Sequence, residues 1–275
     1  MSRLRSSEWL VIVYFAYVAV VALFYIRAPW RAWLLGVAVA GVLAIGTRCR
    51  PVVRDFLPLF ATLAAYREMN WFTPAIRDYH LERAWVVWDR LLLDQYGLRA
   101  AIESTGRVLP EFLEVCYVLV YSVAPFALWA LYANEKGKRV NHFWVAYLAG
   151  TLGAYALFPF FLSEPPRTAF PGADMPHVKA VVRAFNMAIT GGYGIHSSVF
   201  PSAHVSSAFS AAWALLAILP GKRRIGWSFA GYGVCVAVAT IYGRYHFAVD
   251  AVGGLAISLL AFVALRLDRE ESSLG

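Results

Sequence analysis

The stretch "FPSAHVSSAFSAAWALLAILP", residues 200–220, opens with polar side chains and continues as an almost unbroken apolar run. Such a run approaches the roughly 20 residues with which an α-helix crosses a bilayer. Ser202 and His204 stand where that helix begins. Either they cap the helix at a membrane surface, or they belong to a chemical site held there.

Apolar runs of similar length recur along the whole sequence of 275 residues. Hydrophobic residues make up 60% of the chain and charged residues only 15%, whereas a soluble domain carries about 25% charged residues. This composition excludes an ordinary water-facing surface and indicates an integral membrane protein. The runs are residues 9–26, 32–46, 55–72, 110–132, 141–162, 203–219, 226–243 and 247–265.

The first run resembles a signal peptide in its apolar character, but it is long and has no clear small-residue cleavage site, so we interpret it as a retained anchor. The pattern predicts an all-α fold, a polytopic transmembrane bundle of about six core helices plus N-terminal helices. Residues 1–75 form the N-terminal membrane helices, 76–109 an interfacial amphipathic segment, and 110–275 the membrane domain with the candidate site.

Basic residues cluster between the runs, as is typical of loops on the cytoplasmic side of a membrane. With eight crossings both termini are cytoplasmic. The short run at 55–72 must then cross the membrane, because without it the number of crossings would be odd. Residues 67–109, 163–202 and 243–246 then share the extracytoplasmic or luminal face. The basic clusters are Arg48, Arg50 and Arg54, "NEKGKR" at 134–139 and "GKRR" at 221–224, with Arg3 and Arg5 at the N-terminus.

The segment at 81–92 has an amphipathic pattern at helical spacing. This pattern suits a helix that lies in the membrane interface, although a packed cap over the bundle explains it equally well. Its apolar positions are Leu81, Trp85, Trp88 and Leu92, and its charged positions are Glu82, Arg83, Asp89 and Arg90.

The net charge of +8 sits in short clusters beside apolar runs, so we expect no nucleic-acid partner. Cys49, Cys116 and Cys235 are far apart and predict neither a disulfide framework nor a metal site.

Three polar clusters meet at the predicted extracytoplasmic face: "SEPPRTAFPG" at 163–172, "FPSAH" at 200–204 and "YGRYHFAVDAVGG" at 242–254. Ionisable groups at membrane depth are costly and by default mark function. His246 and Asp250 are four residues apart, so on a helix the carboxylate reaches the imidazole and fixes its tautomer. Arg244 keeps its charge and suits a phosphate or carboxylate.

Ser202 is suited both to capping its helix and to contacting an anion at the helix N-terminus. His204 has no capping role and requires another explanation. The order PPR, PSAH and HxxxD, each at the end of a membrane helix, resembles the type 2 phosphatidic acid phosphatase (PAP2) superfamily. "EPPR", "FPSAH" and "YGRYHFAVDAVGG" are most similar to its inositol phosphorylceramide synthase-like branch, over about residues 109–265.

The resemblance implies a role for each matching residue. His246 resembles the nucleophile that forms a phosphohistidine, Asp250 the carboxylate that orients it, and His204 the general acid for the leaving oxygen. Arg167 and Ser202 resemble phosphate-binding residues. No metal or cofactor is expected, because fixed cations and helix N–H groups stabilise the developing charge.

Two positions depart from the phosphatase pattern. Phe160 stands where the first motif has a lysine, and Thr240 where the third motif has an arginine. We predict that Arg244 supplies part of the missing phosphate-binding charge.

Other polar residues of the same face are less specific. Tyr193 and His196 are candidate headgroup contacts, although a plain loop role explains them too. Glu111 and Glu114 either line a polar entry or pair with an arginine.

These features predict a lipid phosphatase or phosphotransferase acting on a membrane lipid. Headgroup transfer to an alcohol acceptor is favoured over hydrolysis of phosphatidic acid or a polyprenyl pyrophosphate. A transporter with an ionisable path is the alternative from another class, but it predicts charged residues spread through the membrane depth, whereas here they crowd at one face.

Overall fold

The computed structural model describes residues 3–172 and 174–274, with residues 266–274 as backbone only. Over this part of the chain the regular structure is helical and contains no strand, which confirms the predicted all-α bundle. The helices are α1 Ser6–Tyr25, α2 Trp30–Gly46, α3 Pro51–Glu68, α4 His80–Arg90, α5 Leu98–Glu103, α6 Val108–Leu119, α7 Val123–Ala133, α8 Val140–Leu157, α9 Pro166–Ala169, α10 Val181–Tyr193, α11 Ala203–Ile218, α12 Arg223–Tyr242 and α13 Ala248–Leu274.

Five stretches in the described part of the chain are long and apolar enough to cross a membrane. They correspond to α1, α6 with α7, α8, α12 and the first part of α13, while α2 and α11 are apolar but shorter. The helix α3 falls outside this group because charged residues such as Arg54 and Asp55 lower its hydropathy. Crossing by α3, and hence eight passes in total, remains a prediction.

The short apolar helix α11 lies at the centre of the bundle and packs against α8, α12 and α13. Small residues permit this close approach, as is common between membrane helices. Ser206 Oγ donates to the Gly150 carbonyl at 2.9 Å, and a Cβ atom at Gly150 would lie 2.0 Å from Ser210 Oγ. The opening stretch of the sequence is therefore the core helix around which the bundle assembles.

The N-terminal helices are joined to this core at the end of the bundle that carries the basic loops. Arg54 forms two hydrogen bonds of 2.6 Å with the Glu8 carboxylate, and Asp55 pairs with Arg5. Asp55 also accepts a hydrogen bond from Tyr132 at the end of α7. The segments that we predicted to be cytoplasmic thus meet at one end, and the three motif clusters lie at the other.

The helix α4 packs against α9 and α13 at the motif end. Its buried residues are Glu82, Val86 and Asp89, whereas Trp88 is 66% exposed and Val87 54% exposed. The acidic face of this amphipathic helix therefore points into the protein, and an apolar face points outward. In a membrane protein such an orientation is favourable, because lipid accepts the apolar face and the protein must then satisfy the acidic one.

Candidate active site

A narrow cavity of about 60 Å³ opens at the motif end of the bundle. It holds roughly four water molecules' worth of space at about 15 Å³ each, which suits a phosphate group better than a complete lipid headgroup. Both motif histidines and Arg167 line it. Its wall also contains five tyrosines: Tyr66, Tyr117, Tyr121, Tyr155 and Tyr245.

His246 lies in the loop between α12 and α13, and its ring contacts both the Asp250 carboxylate and the backbone of Val199. Its Nδ1 atom is 3.2 Å from Oδ2 of Asp250, and the same oxygen accepts a hydrogen bond from the Phe247 amide at 2.8 Å. With Nδ1–H donating to the carboxylate, the Nε2 lone pair is left available for attack. Burial, and secondly the charge of Arg167, lower the pKa of His246 to about 3, so the imidazole is neutral at pH 7.

His204 faces the His246 ring from the first turn of α11. The centroids of the two imidazole rings are 5.7 Å apart, and the rings are nearly perpendicular at 87°. The rings of Tyr117 and Tyr121 pack edge-on against His204 at 5.3 and 5.5 Å. A phosphorus atom bound between the two histidines can therefore be attacked from one side while its leaving oxygen faces the other imidazole.

Ser202 is the N-cap of α11, and its Oγ accepts the Val205 amide at 3.4 Å. Its own amide donates to the Asp250 carbonyl at 2.8 Å, which joins the starts of α11 and α13. A Cβ atom at Gly254 would lie 2.3 Å from the Ser202 carbonyl oxygen, so only glycine permits this contact. Ser202 is fully buried and is not among the residues that line the cavity; its contact with phosphate remains a prediction.

Arg167 is the cation that the fold directs into the cavity. It lies in the one-turn helix α9, and its amide donates to the Arg244 carbonyl at 3.2 Å. Its guanidinium stacks 5.1 Å from the centroid of the Tyr245 ring, which itself stacks on Tyr117 at 3.8 Å. No carboxylate within the described residues forms an ion pair with Arg167, so the charge is available to an anion.

Arg244 has a different environment from the one that we predicted. Its guanidinium is 1% exposed and pairs with Asp89 of α4, and it is not among the residues described as lining the cavity. Asp89 engages only the Nη1 atom, and the buried Nε and Nη2 atoms have no hydrogen-bond partner in the described part of the chain. The phosphate contact of Arg244 stays a prediction.

Phe160 and Thr240, the two positions that depart from the phosphatase pattern, both lie outside the cavity lining. Phe160 is 48% exposed and packs against Tyr25, away from the histidines. Thr240 is fully buried, and its carbonyl accepts the amides of Tyr245 and His246 at 2.9 and 3.0 Å. Neither position contributes a charge to the cavity, so the cavity is poor in cations.

The candidate headgroup contacts lie outside the cavity. Tyr193 is 71% exposed at the end of α10, and its carbonyl accepts a hydrogen bond from Arg67. The amide of His196 donates to the Asn70 side chain at 2.9 Å. Both residues lie at the motif end, where their role as headgroup contacts stays a prediction.

Glu114 of α6 is a buried carboxylate whose partner the sequence analysis left open. It pairs with Arg183 at 2.8 Å and accepts hydrogen bonds of 2.7 Å from Tyr245 and Asn186. It therefore links α6, α10 and the loop that carries His246. Glu111 instead accepts the amides of Val181 and Val182 at the start of α10. Both glutamates lie near the start of α6, and their different partners distinguish them.

Comparisons with known proteins agree with this geometry. The family profile described as the PAP2 superfamily matches residues 86–264, which is more than half of the chain and includes all three motif clusters. The chain belongs to the PAP2 superfamily. A curated relative is the undecaprenyl-diphosphatase BcrC of Bacillus subtilis (strain 168), 21% identical over 162 residues, which cover 58% of this chain and 72% of that protein. No solved structure gives a significant match.

Membership in the PAP2 superfamily, together with the curated relative, confirms the prediction of a PAP2-type membrane enzyme. The inositol phosphorylceramide synthase-like branch is a finer assignment and stays a prediction. The tyrosines of the cavity wall, Asp89 and Glu114 are residues that motif matching did not find. Glu114 and most of these tyrosines were polar side chains inside apolar runs, Tyr245 stood in the third motif cluster, and Asp89 was a charged position of the amphipathic segment at 81–92. None of these signals says which side chains meet.

Proposed function

We propose that this protein transfers a phosphorylated group from a membrane lipid through a phosphohistidine at His246. The observation that carries the proposal is the pair of facing imidazoles, with ring centroids 5.7 Å apart, in a cavity whose cation is Arg167. Asp250 orients the nucleophile, His204 serves as general acid and then as general base, and Arg167 binds the phosphate oxygens.

In the first half-reaction Nε2 of His246 attacks phosphorus, and a bond between nitrogen and phosphorus forms. The bond between phosphorus and the lipid oxygen breaks. His204, which takes up a proton when the anionic phosphate binds beside it, donates that proton to the lipid oxygen, so the neutral lipid alcohol leaves. The hydrogen bond from Nδ1 to Asp250 stabilises the positive charge that develops on the imidazole. Arg167 and the N-terminal amides of α11 stabilise the negative charge on the phosphate oxygens.

In the second half-reaction an acceptor hydroxyl attacks the phosphohistidine. Neutral His204 takes the proton from that hydroxyl, the new bond between phosphorus and oxygen forms, and the bond to His246 breaks. His204 is then protonated again, as it was with the donor bound. If the acceptor is an alcohol the product is a new phospholipid or sphingolipid, and if it is water the product is the released phosphate group.

The charge of the cavity favours a phosphodiester donor and therefore headgroup transfer. A diester carries a single negative charge, which one guanidinium balances, whereas a phosphomonoester carries about −1.5 to −2 at pH 7. The remaining polar groups of the wall are tyrosine hydroxyls and Thr190 and Ser198, which donate hydrogen bonds without adding charge. We therefore favour transfer of a phosphorylated headgroup to an alcohol.

The second candidate is hydrolysis of a lipid phosphate such as phosphatidic acid or a polyprenyl pyrophosphate. It is favoured by the similarity to a protein named undecaprenyl-diphosphatase. The chemistry at His246 is the same in both cases. The candidates differ in the donor, since a diphosphate brings more negative charge than Arg167 alone balances, and in the acceptor.

We further propose that the cavity faces the extracytoplasmic or luminal side and that both termini are cytoplasmic. The basic loops at 134–139 and 221–224 lie at the opposite end of the helices, which supports this orientation through the positive-inside rule. Membrane-impermeant thiol labelling tests it: Cys introduced at Ser104 should react from outside and Cys at Gly137 only after permeabilisation. The reverse pattern would overturn the orientation.

The proposed reaction is tested with the purified protein and labelled lipids. The donors are phosphatidic acid, a polyprenyl pyrophosphate and a glycerophospholipid, each with and without ceramide or diacylglycerol as acceptor. We expect the glycerophospholipid label to move to the acceptor and the His246→Ala variant to lose turnover. His177→Ala is the matched control, since this exposed histidine pairs with Glu103 outside the cavity. Turnover retained in His246→Ala would refute the nucleophile, and activity confined to the polyprenyl pyrophosphate would favour the hydrolase.

A further inference from the structure

One helix outside the three motif clusters contacts all of them. Glu82 of α4 accepts the Glu164 amide of the first cluster at 2.8 Å. The Trp85 ring packs against Phe200 of the second cluster, with centroids 5.3 Å apart, and against Phe247 of the third at 5.7 Å. The helix α4 therefore holds the three clusters against one another, and its buried acidic face provides the polar contacts.

Asp89 makes the contacts closest to the nucleophile. Its Oδ2 atom pairs with Nη1 of Arg244, and its Oδ1 atom accepts the Ala248 amide at 2.8 Å. Arg244 and Ala248 stand two residues before and two residues after His246, so one fully buried carboxylate fixes both flanks of the loop. Because Ala248 begins α13, Asp89 also satisfies an N-terminal amide of the helix that carries Asp250.

The backbone of Arg244 is strained at the point where its pair with Asp89 meets the nucleophile loop. Arg244 has φ +61, in the left-handed region that a bulky residue adopts only when its surroundings require it. Its carbonyl accepts the amide of Arg167. The same residue therefore connects Asp89 with both the nucleophile loop and the phosphate-binding arginine.

We propose that Asp89 is a positioning residue for the transfer reaction, acting through Arg244 and the Ala248 amide on the direction of the His246 ring. This inference rests on the proposed role of His246 as nucleophile. Arg244 then contributes to catalysis through its conformation and does not contact phosphate. A misplacement of about 1 Å at the nucleophile costs about a hundredfold in rate, so a group that holds both flanks of His246 matters even at a distance.

The test compares Asp89→Asn, Arg244→Gln and the double variant in kcat and KM for the donor lipid on which the wild type is active. Each single variant leaves one member of a buried ion pair without its partner, whereas the double variant places two neutral amides there. We expect each single variant to lower kcat about ten- to a hundredfold with KM within about twofold, because Arg167 still binds phosphate. The double variant should recover at least about tenfold of that loss.

Two outcomes overturn the proposal. Wild-type kcat in Asp89→Asn shows that the carboxylate does not position the loop. A double variant as impaired as Arg244→Gln, with KM raised, shows that Arg244 binds the phosphate directly. The double variant has no unpaired buried charge, so it keeps the test valid even if a single variant fails to fold. Arg83→Gln, on the exposed face of α4, is the control and should match the wild type.

His246→Ala in the same assay separates this inference from the proposed function. If His246→Ala retains turnover, the nucleophile is wrong and Asp89 has nothing to position. If His246→Ala is inactive while Asp89→Asn is fully active, the reaction stands and only the role of Asp89 fails.

Discussion

The two ends of the bundle both bury charged side chains, but they treat those charges differently. At the basic end Arg54 is held by both oxygens of Glu8, and Asp55 meets Arg5 and Tyr132. At the motif end Arg167 lines the cavity without an ion pair to any described carboxylate, and Oδ1 of Asp250 has no hydrogen-bond partner in the described part of the chain. At the basic end these charged side chains have charged partners, whereas at the motif end Arg167 has no such partner among the described residues.

This difference separates a structural role from a functional one. A buried ion pair whose members satisfy each other fixes the packing of helices and has nothing left for a ligand. A site for phosphate must instead keep a cation unpaired by protein groups, so that the substrate supplies the missing charge. Arg244 stands between the two types, because Asp89 pairs with its Nη1 atom while its buried Nε and Nη2 atoms have no hydrogen-bond partner in the described part of the chain.

The sharpest test of the comparison is Arg167→Gln. We expect kcat/KM to fall about a thousandfold, or about 4 kcal/mol, as for the loss of one strong donor to a transition-state oxyanion. The melting temperature should hardly change, since no ion pair is broken. Activity and thermal unfolding are measured on the same preparation, with Lys179→Gln as an exposed control at the same end. A large loss of stability in Arg167→Gln would show that this arginine is structural.

Arg54→Gln should lower the stability of the protein and leave its activity nearly unchanged, the reverse of Arg167→Gln. Removing the guanidinium leaves Glu8 buried without its partner, which costs about 3–5 kcal/mol. Activity per folded molecule should stay close to that of the wild type, because the pair lies at the far end of the bundle. Unfolding in mixed micelles measures the stability, and Glu8→Gln with Arg54→Gln together should regain much of it. Loss of turnover in a fully folded Arg54→Gln protein would break the separation between the two ends.

Gly254→Ala tests how closely the motif end is packed. The added Cβ atom would lie 2.3 Å from the Ser202 carbonyl, so α11 and α13 must separate at a cost of about 1–3 kcal/mol. Since both histidines depend on these helix starts, kcat should fall together with the melting temperature. Gly231→Ala in α12 is the matched control, because nothing lies within 4 Å of its added Cβ. Equal behaviour of the two variants would contradict the close contact.

The smallest expected effect concerns pH. Burial, followed by the charge of Arg167, lowers the pKa of His246 to about 3, below the usual imidazole value of about 6.5. A group with a lowered pKa stays neutral as the pH falls, so kcat/KM for a phosphodiester should show no acid limb near pH 6.5. The profile of kcat/KM against pH for the free enzyme reports this value directly. An acid limb at or above about 6.5 would mean that the imidazole is solvated or carries a closer anion.

Much of the fold follows from the sequence. The apolar runs at 110–132, 203–219 and 226–243 correspond closely to α6 with α7, α11 and α12, because length and apolar content alone determine where a membrane helix lies. The spacing of His246 and Asp250 predicted their contact. The expected reason was a shared helix face, whereas His246 lies in the loop just before α13 and reaches Asp250 in the first turn of that helix. The family could be inferred for the same reason: its motifs are local and sit at the ends of predictable helices.

The orientation of α4 could not be inferred from the same information. Its periodicity separates an acidic face from an apolar one, but in a membrane protein either face can point inward. Asp89 and Arg244 are 155 residues apart in the sequence, and no local pattern relates them. For the same reason the sequence did not show that Arg244, whose phosphate contact stays a prediction, has a buried carboxylate partner.

The sequence by itself determined that this protein is a helical membrane enzyme of the PAP2 superfamily, and it identified the histidines and the carboxylate of the candidate site. Those features depend on composition and short spacings. Only the tertiary structure decided that Arg167 lines the cavity without an ion pair to a described carboxylate, whereas Arg244 pairs with Asp89. The type of each residue determines its charge. Whether that charge is available to a substrate depends on the partners that distant helices bring within hydrogen-bonding distance.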